Sequence, residues 1–116
     1  MFQYTYQIQK EDINHGNHVG NERTLVFFKK AREAWLAEKN YSELSIGEGC
    51  GIIQKSACIE YRKQIFLQDT IDVNIIKIEL EKLFFIFFYI ILIFLIRDLC
   101  YYQLLKRVVL LLLHAL

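Results

Sequence analysis

The sequence predicts an α+β domain in which one long helix lies across a curved antiparallel sheet. Three observations predict it. The chain opens with strict alternation of apolar and polar residues, a long amphipathic stretch follows a polar loop, and two further strand-like stretches come after it. No internal repeat is visible.

The first strand is read from Phe2, Tyr4, Tyr6 and Ile8, which alternate with Gln3, Thr5, Gln7 and Gln9. A polar loop over 10–20 follows, with Gly16 and Gly20 expected to take backbone conformations other residues resist. Asn21 is the expected N-cap of a helix running to about Lys39, and Glu22 suits the helix's positive end. Leu25, Phe28, Trp35 and Leu36 mark one stripe of that helix, widened by Val26, Phe27, Ala31 and Ala34. So broad an apolar surface requires a sheet wrapped around it. Gly47, Gly49 and Gly51 make the next segment a loop. Strands are expected over Ile52–Tyr61 and Thr70–Leu80, with Gln68-Asp69-Thr70 at the turn between them. Ile71, Val73 and Ile75 share one face before Ile76, Ile78 and Leu80 take over, which predicts a bulge near Asn74–Ile76.

At 116 residues the chain holds one domain. A net charge of +1 gives no electrostatic case for nucleic acid or an anionic membrane surface as partner. Cys50, Cys58 and Cys100 form no CxxC pair, as expected for reduced thiols in the cytoplasm. No basic segment followed by an apolar one comes after Met1, so no secretory signal is expected at the start.

The loop Asp12-Ile-Asn14-His15-Gly16-Asn17-His18-Val19-Gly20-Asn21 carries the chemistry. It gathers acid, amide and imidazole groups where a helix begins. A helix start offers unpaired N–H groups and a positive dipole end, so the loop can hold and polarise the carbonyl of an acyl group. His15 and His18 lack a third ligand, so no metal is expected. Each candidate also has a plain structural reading. Asp12 can form an Asx turn, Glu22 can favour the helix dipole, His18 can tie the loop together, Asn21 can cap the helix, and Arg62 and Lys63 can be a solvated strand end.

These residues bring a family into view. Asp12-Ile-Asn14, then Gly16-Asn17-His18-Val19-Gly20-Asn21, then the helix through Ala31-Arg32 resemble the hotdog-fold thioesterases of the 4-hydroxybenzoyl-CoA thioesterase-like superfamily. Gly47-x-Gly49-x-Gly51-Ile-Ile, Glu60-Tyr61-Arg62 and Gln68-Asp69-Thr70 continue the likeness, which covers about residues 3–80. The resemblance implies a hotdog fold and hydrolysis of an acyl-CoA or acyl-carrier thioester. It also implies a dimer or tetramer with sites between subunits, and no metal or cofactor. Asn14 stands where many members carry the catalytic Asp. The resemblance therefore gives Asn14 and His18 the orienting of substrate or water, and Asp12 or Glu22 the carboxylate. By the same likeness Gly16, Val19, Gly20 and Asn21 bind substrate, with N–H groups near Val19–Asn21 receiving the oxyanion, and Arg62 and Lys63 meet coenzyme A phosphates. A non-catalytic acyl-binding module is the second reading, favoured by Asn14.

The composition breaks at residue 83. After Lys82 only Arg97, Asp98, Lys106 and Arg107 carry charge, and 83–96 is an unbroken run of fourteen apolar residues. The division is therefore a hotdog-like unit over 1–82 and an apolar tail over 83–116, leaving the fold short of its last strands. The run is shorter than the roughly 17–25 residues of a spanning helix. One expectation is a frameshifted translation of those strands. Suitable codons for Leu104–Val108 read Ala-Lys-Thr-Gly in a neighbouring frame, similar to the family's last core strand. The others are a membrane anchor turning at Arg97-Asp98, or an ordinary buried element.

Overall fold

The computed structural model describes residues 2–47, 50–61, 63–81, 84–94 and 104–114. Strand β1 (Phe2–Gln7) leads through a single 3-10 turn (Lys10–Asp12) into helix α1 (Arg23–Glu38). Strands β2 (Cys50–Ile59), β3 (Thr70–Glu81), β4 (Phe84–Phe94) and β5 (Leu104–His114) follow. All five form one antiparallel sheet in the order β1-β3-β4-β5-β2. The fold class is the α+β plan of one helix against a sheet, as expected.

Two parts of the expectation are corrected. β2 and β3 are not a hairpin: β3 lies between β1 and β4, while β2 occupies the opposite edge beside β5. The segment 60–69 therefore crosses from one side of the sheet to the other, and the turn before Thr70 delivers that crossing into β3. Nor are the last strands missing. Residues 84–94 pair with β3 along their length and 104–114 seat β2, so the apolar stretch supplies two strands. The alternation was hidden. β4 is central, with Phe87, Tyr89, Ile91 and Ile93 buried in the core, but Phe88, Ile90 and Leu92 between them are apolar as well, so the period of two that marks an antiparallel strand covered on one face is absent. Among the described residues no helix is long and apolar enough to cross a membrane.

The expected bulge is present. The β3–β4 register slips between Ile75 and Lys77, which re-aims the strand after Ile71, Val73 and Ile75 have turned toward the helix. The core lies between that face and α1. It contains Ile71, Val73 and Ile75 of β3, Phe87, Tyr89, Ile91 and Ile93 of β4, and Phe27, Phe28, Ala31 and Leu36 of α1. Phe28 and Tyr89 rings meet at 4.4 Å, Tyr6 and Phe27 at 5.2 Å, and Trp35 meets Phe87 edge-on at 5.7 Å. Such aromatic pairs add to the area they bury. The buried stripe of α1 includes Thr24, Phe27, Phe28, Ala31 and Arg32, whereas Leu25 and Trp35 are only half-buried.

Arg32 is buried, donating from Nη1 to the Tyr89 hydroxyl at 3.1 Å and pairing through Nε with Glu43. Burial disfavours its charge, but Tyr89 and Glu43 outweigh that and raise its pKa. Just past the end of α1 stands Asn40, whose φ of 62° suits Asn better than most residues. The Tyr41 N–H closes back on the Leu36 carbonyl at 2.8 Å.

Candidate functional site

The loop between β1 and α1 is a closed hairpin rather than an open glycine loop. Ile13 and Val19 form an isolated bridge, and the Asn14 N–H donates to the His18 carbonyl at 2.9 Å. The left-handed residue at its tip is Asn17 (φ 65°); neither Gly16 nor Gly20 has positive φ. The glycines supply space instead. A Cβ at Gly16 would lie 3.0 Å from His18 Nε2, and one at Gly20 would lie 2.3 Å from Glu22 Oε1.

Asp12 is buried and fully engaged. Its Oδ2 accepts from the Tyr6 hydroxyl (2.7 Å) and the Gln9 N–H (2.9 Å), and its Oδ1 accepts from Arg23 Nε (2.9 Å) and Nη2 (2.7 Å). Burial alone would push the carboxyl pKa up. The Gln9, Tyr6 and Arg23 donors overcome it and hold the pKa below the ordinary value. Tyr6 moves the other way, to about 12, through burial and through its bond and proximity to Asp12, with Glu11 adding to the rise. Asp12 thus joins β1, the 3-10 turn and the first residue of α1. A carboxylate held by four donors has no lone pair aimed at substrate, so its structural reading is the one the geometry favours.

Asn14 is exposed, and its Oδ1 accepts from the Gly16 N–H at 2.9 Å, closing the loop. Asn21 does not cap the helix through its side chain. The N-cap position is Glu22, without a side-chain cap bond, and the Asn21 carbonyl accepts from the Thr24 N–H at 3.3 Å. The N–H groups expected to receive an oxyanion divide. Val19 donates to the Ile65 carbonyl (2.7 Å) and Gly20 to the Asp12 carbonyl (3.2 Å), so both are committed. Among the described residues no backbone carbonyl takes the Asn21 or Glu22 N–H. The Gly20 carbonyl accepts from Arg23 and the Asn21 carbonyl from Thr24, so both peptide units turn their carbonyls into the helix and their N–H groups out of its start.

A cleft of ≈ 340 Å³ lies beside this helix start, lined by His18, Val19, Asn21, Thr24, Tyr61, Lys63, Gln64 and Ile65. It brings together four of the residues expected from sequence: His18, Val19, Asn21 and Lys63. Asn14, Gly16 and Gly20 support the loop behind it, and Glu22 sits exposed with its carboxylate against Gly20. Arg62 lies outside the described residues. His18 Nδ1 is 3.0 Å from the Val19 carbonyl, which can only accept. Nδ1 of the neutral ring therefore carries the proton and Nε2 the lone pair. Among the described residues no cluster of three His, Cys, Asp or Glu side chains could hold a metal ion.

Tyr61, Thr24, Gln64 and Ile65 were missed by sequence reasoning. Tyr61 donates its hydroxyl to the Asn21 carbonyl at 2.8 Å, tying the crossing segment to the helix start. Its pKa is raised by burial and by the Glu22 charge, against a lowering bond from Thr24. The signal in the sequence was a hydroxyl-bearing ring amid charged neighbours, Glu60, Arg62 and Lys63, at the end of a strand.

A family model described as the thioesterase-like superfamily matches residues 8–98. No curated protein matches. Among solved structures, the chain is similar to a 1,4-dihydroxy-2-naphthoyl-CoA thioesterase from Synechocystis (22% identity, TM-score 0.75, covering 97% of this chain and 80% of that one). It is also similar to a DHNA-CoA thioesterase from Staphylococcus aureus (13%, TM-score 0.77, 96% and 72%). A third is a Staphylococcus aureus protein solved in complex with CoA (16%, TM-score 0.74, 96% and 68%). At these identities the structures speak for the fold.

Proposed function

Because this chain belongs to the thioesterase-like superfamily, we propose that it hydrolyses the thioester of an acyl-CoA or acyl-carrier substrate. The carrying observation is the helix start beside the cleft: the Asn21 and Glu22 N–H groups point out of the helix, His18 lines the cleft, and the exposed Glu22 carboxylate lies against Gly20 in the same loop. Glu22 is the carboxylate that remains for the chemistry, since Asp12 is consumed by its four donors.

In this reading the acyl carbonyl lies at the start of α1. Water held by His18 Nε2 attacks the carbonyl carbon as Glu22 takes its proton. The N–H groups of Asn21 and Glu22 receive the oxygen's developing charge. The tetrahedral intermediate then collapses, the carbon–sulfur bond breaks, and the thiolate leaves with the proton returned by Glu22. The products are one carboxylic acid and one thiol. Lys63, on the cleft wall, suits the anionic part of the leaving coenzyme or carrier. The working form in this reading is a homo-oligomer, as the family likeness implies.

Thiol release from a panel of short, long and aromatic acyl-CoA and acyl-carrier thioesters tests it. Turnover by the parent protein, abolished in folded Glu22→Gln and impaired in His18→Gln, supports the reading. One observation favours a non-catalytic alternative: Asn14, which offers no carboxylate, spends its oxygen on Gly16. Saturable acyl-CoA binding without turnover would favour that binder.

A further inference from the structure

The bond from Tyr61 to the Asn21 carbonyl joins two things that sequence separates by forty residues. The carbonyl belongs to the peptide unit whose other end is the Glu22 N–H. In a planar trans peptide the two groups point in opposite directions, so whatever fixes the carbonyl also aims the N–H. Thr24 N–H already holds that carbonyl, at the longer distance of 3.3 Å. Tyr61 adds a second donor at 2.8 Å, on the side facing the crossing segment.

We infer that Tyr61 is a positioning residue for thioester hydrolysis: its hydroxyl fixes and polarises the Asn21–Glu22 peptide so that the Glu22 N–H meets the oxyanion. The inference rests on the hydrolytic reading above. Coupled hydrogen bonds polarise one another, and donating to a carbonyl strengthens its own amide as a donor by about 10–30%. The hydroxyl also clips the crossing segment against the loop, alongside the Val19 N–H bond to Ile65 at 2.7 Å, so the aim is held from both sides of the cleft. Thr24, buried and lining the same cleft, bonds to the Tyr61 hydroxyl. Tyr61 touches the peptide and acts through it.

The magnitude follows from the donor it serves. One oxyanion donor is worth about 10²–10³ in kcat. Weakening such a donor by about a third of its effect, on a logarithmic scale, gives about a fivefold loss.

The test is Tyr61→Phe in the full chain, which keeps the ring and removes one oxygen. Steady-state kinetics should show kcat down about fivefold with KM within twofold. Amide NMR should show the Glu22 N–H resonance moving upfield, as expected when its peptide loses polarisation, with shifts confined to the helix start. Thr24→Val should give a smaller change of the same sign. An unmoved Glu22 amide, or an unchanged kcat, overturns the inference. So does a drop in kcat that comes with a raised KM and shifts spread through the sheet, because that is the mark of a merely structural residue. If the parent protein turns over no thioester while the Glu22 amide still moves, the hydrolytic reading falls. The hold of Tyr61 on the peptide then stands without a catalytic role.

Discussion

Arg23 reaches back from the first residue of α1 to place both Nε and Nη2 on a single oxygen of Asp12, at 2.9 and 2.7 Å. Asp12 is wholly buried and Arg23 about a quarter exposed on its side chain. The acid is therefore a joint between the loop and the helix, and removing its charge strands a partly buried guanidinium. Asp12→Asn should cost about 2–4 kcal/mol, the buried-pair figure reduced for the exposed side of Arg23. Urea denaturation of the folded variant checks it; a cost below about 1 kcal/mol would refute the joint.

The same contact sets an acid limit. The Asp12 pKa is depressed in the folded state. Its stabilisation is present above the unfolded carboxylate value of about 3.9 and drains away as pH falls through the lower folded value. Melting temperature followed downward from neutral pH should fall more steeply in the parent than in Asp12→Asn. Parallel curves would count against the assignment.

At high pH the sign reverses. Tyr6 and Tyr89 both have pKa values pushed up to about 12, chiefly by burial. An acid whose folded pKa is raised contributes stability below its unfolded value of about 10, lost as pH climbs toward the folded one. Among the described tyrosines, Tyr6 and Tyr89 should therefore ionise last, in step with unfolding, when the phenolate band is followed through an alkaline titration. Tyr89→Phe should remove one of the two. It should also cost about 1–3 kcal/mol, because buried Arg32 loses the acceptor of its Nη1.

Gly20 is a spacing residue for the chemistry. A Cβ there would lie 2.3 Å from Glu22 Oε1, and the far end of that side chain can move aside. Gly20→Ala should therefore leave the melting temperature nearly unchanged while displacing the carboxylate. A shift of about 1 Å in a reacting group costs up to about 100-fold, so kcat should fall by about 10–100-fold. Equal kcat in the two proteins would remove Glu22 from the reaction.

The sequence made β1, α1 and the β3 bulge legible, because each rests on a periodicity carried by its own residues. Ile71, Val73 and Ile75 show their face without help from elsewhere. The strand order was hidden, since nothing in β2 or β3 states which neighbour each pairs with. The loop chemistry was legible as a cluster but not in its roles. Whether Asp12 is a base or a joint depends on Tyr6 and Arg23, and whether Val19 can bind an oxyanion depends on Ile65. Tyr61 showed only as a ring amid charged neighbours, its role hidden because its partner lies forty residues away.

β4 was misread because it is apolar at every position from Phe84 to Phe94, on both faces, where β1 alternates. That uniformity keeps a shifted reading frame over codons 83–116 as a proposal with its own test. Resequencing the gene should then reveal a frame in which β4 alternates. A gene that reads as written removes the proposal and makes the second apolar face a property of the chain.

β5 carries more of the site than its distance suggests. It is the strand on which β2 is paired, from Cys50 opposite His114 to Ile59 opposite Lys106, and β2 leads into the segment that bears Tyr61 and Lys63. Ending the chain after residue 94 would leave β2 without its partner and β4 with an open edge of unpaired, largely apolar strand. The shortened protein should therefore lose the cleft along with the sheet edge, and should run as aggregate on size exclusion rather than as a smaller folded species. A soluble, monodisperse product retaining thioester turnover would show that the helix start and its loop hold the site without β2, and would break the line of support from β5 to Tyr61.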